Sequence, residues 1–217
     1  MTDFLYPFIE GDERDAGALL EDLARSAEAK ASLSATLRHD TLVALDAELD
    51  AAAVAMASRF GLGARLYAFG NGGSSTDAAG VASLFGRPPS GAPLPARSLV
   101  ADHAVLTALA NDVGYDLVFS RQLISTAEPA DIALGLSTSG SSTNLLEAFA
   151  QAGRMGLLTI GIAGYDGGTM KASDTIDHCL VVRSDSVHRI QEAQSAIVFT
   201  LWERVQRLLV EGVAHVQ

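Results

Sequence analysis

The chain has 217 residues, 48% of them hydrophobic, and a formal net charge of -11. That length and apolar fraction sustain a full α/β core and exclude a disordered chain, and the charge excludes nucleic acid as a partner, because that partner needs a basic face. The lone Cys179 excludes an internal disulfide and suits a reducing cytoplasm, and with no apolar run of membrane length and no signal-peptide pattern at Met1-Thr2-Asp3-Phe4, a soluble cytoplasmic protein is expected.

Phe4, Leu5, Tyr6, Phe8 and Ile9 form an aromatic and aliphatic patch ahead of an acidic turn, expected to pack on its own subunit or on a neighbour. Two Ala- and Leu-rich helices are predicted, over 16–31 and 34–60, the second closed by Gly61 and Gly63. From residue 64 strand and helix alternate. Strands are predicted at 65–69, 96–100, 131–136, 157–162 and 176–182. Helices are predicted at 75–85, with Ser74 and Asp77 as a capping pair, then at 104–111, 116–126 and from 144 to Gly153. A short helix follows 164–168, and a long one, capped by Ser184-Asp185-Ser186, runs to about 210. This order predicts a five-stranded parallel sheet covered on both faces, a three-layer αβα arrangement. Residues 1–62 form an N-terminal helical extension to a core over 63–217, all one domain. Cys179 falls in a predicted strand and reads as a buried, inert thiol.

In parallel sheets ligands sit beyond the carboxyl ends of the strands. Two turns lie at such ends. Ser137-Thr138-Ser139-Gly140-Ser141-Ser142-Thr143 carries six hydroxyls in seven residues and no lysine, arginine or carboxylate. It opens a helix, whose first amides lack backbone partners and whose dipole favours an anion. Neutral donors in that number suit a doubly charged phosphate ester. Gly70-Asn71-Gly72-Gly73-Ser74 brings backbone close to a ligand, with Asn71 and Ser74 as polar contacts. It lacks the third glycine and the distant acid of a dinucleotide fingerprint, and no P-loop lysine follows.

Together with Ala110-Asn111-Asp112, Gly164-Tyr165-Asp166-Gly167-Gly168 and Arg189-Ile190-Gln191-Glu192, these turns resemble the SIS (sugar isomerase) domain family, and most of all its phosphoheptose isomerases. The resemblance implies that Ser137, Thr138, Ser139 and Ser142 hold the phosphate of sedoheptulose 7-phosphate or a similar sugar. Asn71, Gly72, Gly73, Ser74, Asn111, Asp112 and Gln191 would line the sugar chain. It also implies a homotetramer with sites at subunit boundaries.

The same resemblance implies a zinc and proton-transfer cluster that this chain lacks. Where the family has a histidine and a glutamate on the helix after the glycine turn, this chain has Gly80 and Leu84; where it has a histidine on the last helix, this chain has Phe199. Gln191 alone cannot hold zinc, which takes about four ligands, so neither metal nor other cofactor is expected. Aldose–ketose isomerisation needs a base within reach. The substitutes available are His188 and Glu192, four apart on one helical face, and His103 at a strand's end. His39, His178 and His215 have no partner at ligand spacing. The alternative is a non-catalytic phosphosugar sensor or assembly partner.

Overall fold

The structure, a computed structural model, describes residues 16–214, so the aromatic segment near the start and His215 lie outside the described residues. Two helices lead, α1 (Ala16–Ala44) and α2 (Asp46–Gly61). Then come β1 (Leu66–Gly70), α3 (Gly73–Gly86), β2 (Ala96–Ser98), α4 (His103–Asp112), a 3-10 turn (Tyr115–Leu117) and α5 (Val118–Thr126). The rest is β3 (Ile132–Ser137), α6 (Thr143–Met155), β4 (Leu158–Ala163), α7 (Gly168–Ala172), β5 (His178–Val181) and α8 (Val187–Ala214).

The five strands are parallel, in the order β2-β1-β3-β4-β5. The chain leaves β1 toward one edge and returns to build β3 on its other side. That reversal opens a crevice beyond the carboxyl ends of β1 and β3, where Gly70 pairs with Leu136 in register. β1, β3 and β4 are buried along their whole length, which is why they read as continuous apolar runs and not as alternating ones.

One face, with Leu66, Ala68, Leu134, Leu136, Ile160 and Ile162, packs under α2, α3 and α8. The other, with Tyr67, Phe69 and Ala133, packs under α5 and α6. There the rings of Phe119 and Phe149 lie 5.4 and 5.3 Å from that of Phe69, contacts worth about 0.5–1.5 kcal/mol each beyond the area they bury. α1 and α2 pack on α8. Arg204 of α8 bonds Asp46 and Asp50 of α2, each at 2.6 Å. Burial works against the Arg204 charge, but hydrogen bonds and charge from these two carboxylates hold its pKa above the ordinary value.

The fold class is the one expected; several boundaries are not. The leading helices divide at Leu45, not near residue 32, because Ser32 and Leu33 contain neither glycine nor proline to stop a helix. The first turn of α3 has Gly72 as its N-cap and no side-chain cap, so Ser74 and Asp77 do not form a capping pair. Ser75 donates to the Gly72 carbonyl (2.6 Å) and Asp77 is engaged elsewhere. α6 passes through Gly153 and stops at Gly156, which takes the left-handed conformation (φ 81°) that ends helices. α8 likewise runs through Gly212.

Candidate functional site

The serine-rich turn joins β3 to α6 at the crevice. Its hydroxyls converge: Ser137 Oγ lies 3.3 Å from Ser139 Oγ and 3.4 Å from Ser142 Oγ. Ser137 is buried, and its Oγ accepts the Gly140 amide at 3.1 Å. Ser142 is the N-cap of α6 but makes no side-chain cap bond. Its hydroxyl is therefore not spent on capping, and it lies at the N-terminus of a 13-residue helix, where the dipole favours an anion.

The turn is held from beneath by the turn after β4. Met170 donates its amide to the Gly140 carbonyl (2.8 Å), and Gly164 donates to the Ser137 carbonyl (3.1 Å). Ser141 points away from the other serines, accepting the Thr169 amide at 3.1 Å. One of the six hydroxyls is thus structural. Gly140 has φ +63°, and a Cβ there would lie 2.1 Å from the Gly167 carbonyl oxygen, so only glycine fits. Gln194 of α8, wholly buried, donates to the Ser137 (3.4 Å) and Ile162 (3.1 Å) carbonyls. Its Oε1 has no partner among the described residues.

The glycine turn forms the opposite wall. Asn71 exchanges side-chain hydrogen bonds with Asn144 (2.8 and 2.9 Å), and Tyr115 donates to Asn71 Oδ1 (2.9 Å). Asn71 therefore ties the two turns together, with its amide already engaged. Sequence reading missed Asn144 and Tyr115. Asn144 had a signal, as the polar residue directly after the serines; Tyr115 had none. Gln191 lies against Gly73, where a Cβ would come within 2.5 Å of its Nε2, and it donates to Asp77 at 2.9 Å. Gly72 is exposed and Ser74 buried at the start of α3.

Asn111 and Asp112 are exposed at the end of α4, where Asn111 donates to Asp112 (2.9 Å). Tyr115, just beyond them, makes the connection from this segment to Asn71. Asp102 caps α4 by accepting the Val105 amide (3.1 Å), and His103 is its exposed first residue.

His188 and Glu192 share a face of α8, but it looks toward α1. They line a hollow of about 520 Å³ with Lys30, Ser34, Arg38 and Arg189, and Ser34 donates to the Glu192 carboxylate. No residue of the glycine or serine turn lines that hollow. The reason is angular: Gln191 and Gln194 occupy the α8 face toward the sheet, and residues 188 and 192 lie to its side.

Gly80, Leu84 and Phe199 come together, around a hollow of about 230 Å³ between α3 and α8. None of the three offers a lone pair. Among the described residues no three of His, Cys, Asp or Glu are placed to hold a metal ion. The described residues around this hollow do not fit zinc. Burial raises the pKa of the Cys179 thiol, against a smaller lowering by Lys171.

The sequence profile of SIS domains matches residues 30–164. A phosphoheptose isomerase of Roseiflexus sp. is 40% identical over 166 residues, spanning 73% of this chain and 82% of its own. That of Geobacter metallireducens is 41% identical over 149 residues, 67% and 77% of the two chains. Among solved structures, a phosphoheptose isomerase from Francisella tularensis superposes with a TM-score of 0.79 at 29% identity, covering 85% of this chain and 98% of its own. The one from Neisseria gonorrhoeae gives 0.76 at 30%, covering 84% and 98%.

Proposed function

The chain belongs to the SIS domain family and is of the phosphoheptose isomerase type, and from that premise we propose that it binds an open-chain sugar phosphate, sedoheptulose 7-phosphate or a close relative, with its phosphate on the serine-rich turn. The convergence of Ser137, Ser139 and Ser142 at the N-terminus of α6 carries this reading. Thr138 and the free amides complete the anion's contacts, and Asn71, Gly72, Gly73, Ser74, Asn111, Asp112 and Gln191 border the sugar chain.

Two readings of the chemistry follow. In the first the protein isomerises its ligand, and Glu192 and His188 move the proton between adjacent carbons. In the second it binds without turnover, as a sensor or assembly partner. The second is favoured by the apolar character of Gly80, Leu84 and Phe199 and by the orientation of Glu192 toward Ser34. Incubation with sedoheptulose 7-phosphate in heavy water separates them. Exchange of the proton beside the carbonyl, abolished by Glu192→Gln or His188→Ala, supports isomerisation. Binding without exchange supports the sensor.

We read residues 1–217 as one domain, acting in the cytoplasm as a homotetramer. The single cysteine supports the compartment. Exposed Leu20, Leu23, Leu33, Val43 and Val54 on α1 and α2 support self-association. Light scattering on the purified protein tests it: a monomer at micromolar concentration refutes the tetramer. No described helix is long and apolar enough to cross a membrane.

A further inference from the structure

The chain is acidic, with 26 aspartates and glutamates against 15 lysines and arginines. Around the hollow between α1 and α8 that balance is reversed. Lys30 and Arg38 of α1 and Arg189 of α8 line it, against the one carboxylate of Glu192. Glu192 already accepts from Ser34, which is buried on α1. Among the described residues, none of Lys30, Arg38, His188 or Arg189 has an ion pair or a side-chain hydrogen bond. His188 adds a ring N–H to the lining, and Ser186 a hydroxyl.

Three like charges about one concavity repel one another, and a cleft lined by one sign of charge gathers counter-ions. The guanidiniums of Arg38 and Arg189 are planar forks that match phosphate oxygens two at a time. They stand on different helices, so an anion held by both is gripped from two walls. A lone carboxylate would leave positive charge over; a diphosphate carries charge enough for all three cations. The hollow, about 520 Å³, is of the size of small-ligand sites and admits an organic group beside the diphosphate. We propose that it is a second anion site, separate from the serine turn, which takes the diphosphate of a small organic ester. No residue of the serine or glycine turn lines it, and Gln191, between Arg189 and Glu192 in the chain, lies against Gly73 instead. The two sites differ in kind, charged donors here and neutral ones on the serine turn, so the loss of one leaves the other intact.

The test is isothermal titration with adenosine diphosphate and inorganic diphosphate at about 0.15 M salt, where charges beyond about 8 Å are screened. The proteins are the wild type, Lys30→Gln with Arg38→Gln, Arg189→Gln, and Ser139→Ala with Ser142→Ala. Lys30 and Arg38 are exposed, and glutamine is a good helix former, so the first pair should fold normally. The wild type is expected to bind both diphosphates. Each cation variant should weaken them about tenfold or more, the scale of one hydrogen bond to a charged group, and the serine pair should leave them unchanged. Failure of the wild type to bind either compound overturns the site, as does binding of one and not the other. Unchanged affinity in both cation variants overturns it too. A loss confined to the serine pair places the diphosphate on the serine turn and likewise overturns it. A change in oligomeric state in the cation variants, without diphosphate binding by the wild type, assigns the hollow to a neighbouring copy and overturns it as well. Sedoheptulose 7-phosphate is the control, expected to lose affinity in the serine pair and keep it in the cation variants. Its failure to bind the wild type refutes the serine-turn reading alone.

Discussion

The double substitution Ser139→Ala with Ser142→Ala tests the phosphate-binding role proposed for the serine turn separately from its structural one. Ser139 is exposed, and its Oγ makes only long contacts, to the Ser141 amide (3.3 Å) and to Ser137 Oγ (3.3 Å). Ser142 Oγ makes no cap bond and reaches Ser137 Oγ at 3.4 Å. Removing either hydroxyl should change stability by less than about 0.5 kcal/mol, as at other surface positions without special features. A hydrogen bond to a charged group contributes about 1.5–3 kcal/mol. The two hydroxyls are neighbours and will not add fully, so a joint loss of about 2–4 kcal/mol is expected. At about 1.4 kcal/mol per decade this is a roughly 30- to 700-fold larger dissociation constant for a sugar phosphate. Titration calorimetry measures the affinity, and urea unfolding measures the stability. Ser137→Ala is the contrast: its buried Oγ accepts the Gly140 amide (3.1 Å), so about 1–3 kcal/mol of stability should go as well. An affinity within about twofold of wild type in the stable double variant would refute the reasoning, since that residue of effect is less than one hydrogen bond.

Gly140→Ala should lower stability by about 2 kcal/mol or more, from a left-handed backbone and a Cβ 2.1 Å from the Gly167 carbonyl oxygen; an unchanged urea midpoint contradicts it. Asn144→Ala strips both amide bonds from Asn71 at a site only 2% exposed, and should cost about 1–3 kcal/mol of stability by the same assay. Burial raises the Cys179 pKa above its ordinary value of 9.0, so the thiol should react slowly with iodoacetamide at neutral pH. The sign for stability follows. The unfolded thiol ionises first, so the contribution of Cys179 is fully present below pH 9.0 and is lost as pH rises beyond it. Cys179→Ala should flatten that alkaline decline in thermal melts, and an identical decline in the variant rules the thiol out as its source.

Much of this molecule is local, and what is local was legible. β1, β3 and β4 are runs of apolar residues bounded by glycine or polar turns, and their burial on both faces is the direct consequence. Six hydroxyls at the mouth of a helix are what the proposed anion site rests on, and they are legible as residue types alone. That Gly80, Leu84 and Phe199 carry no side chain able to ligate a metal is likewise a matter of residue type alone. What the fold decided is which of the chemically capable groups meet. Ser141 leaves its neighbours because the turn after β4 comes up beneath it. Asn71 is held by Asn144 and Tyr115, partners 73 and 44 positions away. Glu192 and His188 share a helical face, as four-residue spacing requires, but the rotation of α8 on the sheet aims that face at α1 and away from the serines. Helical spacing sets which side chains travel together; only the packing of one helix against its neighbours sets where they point.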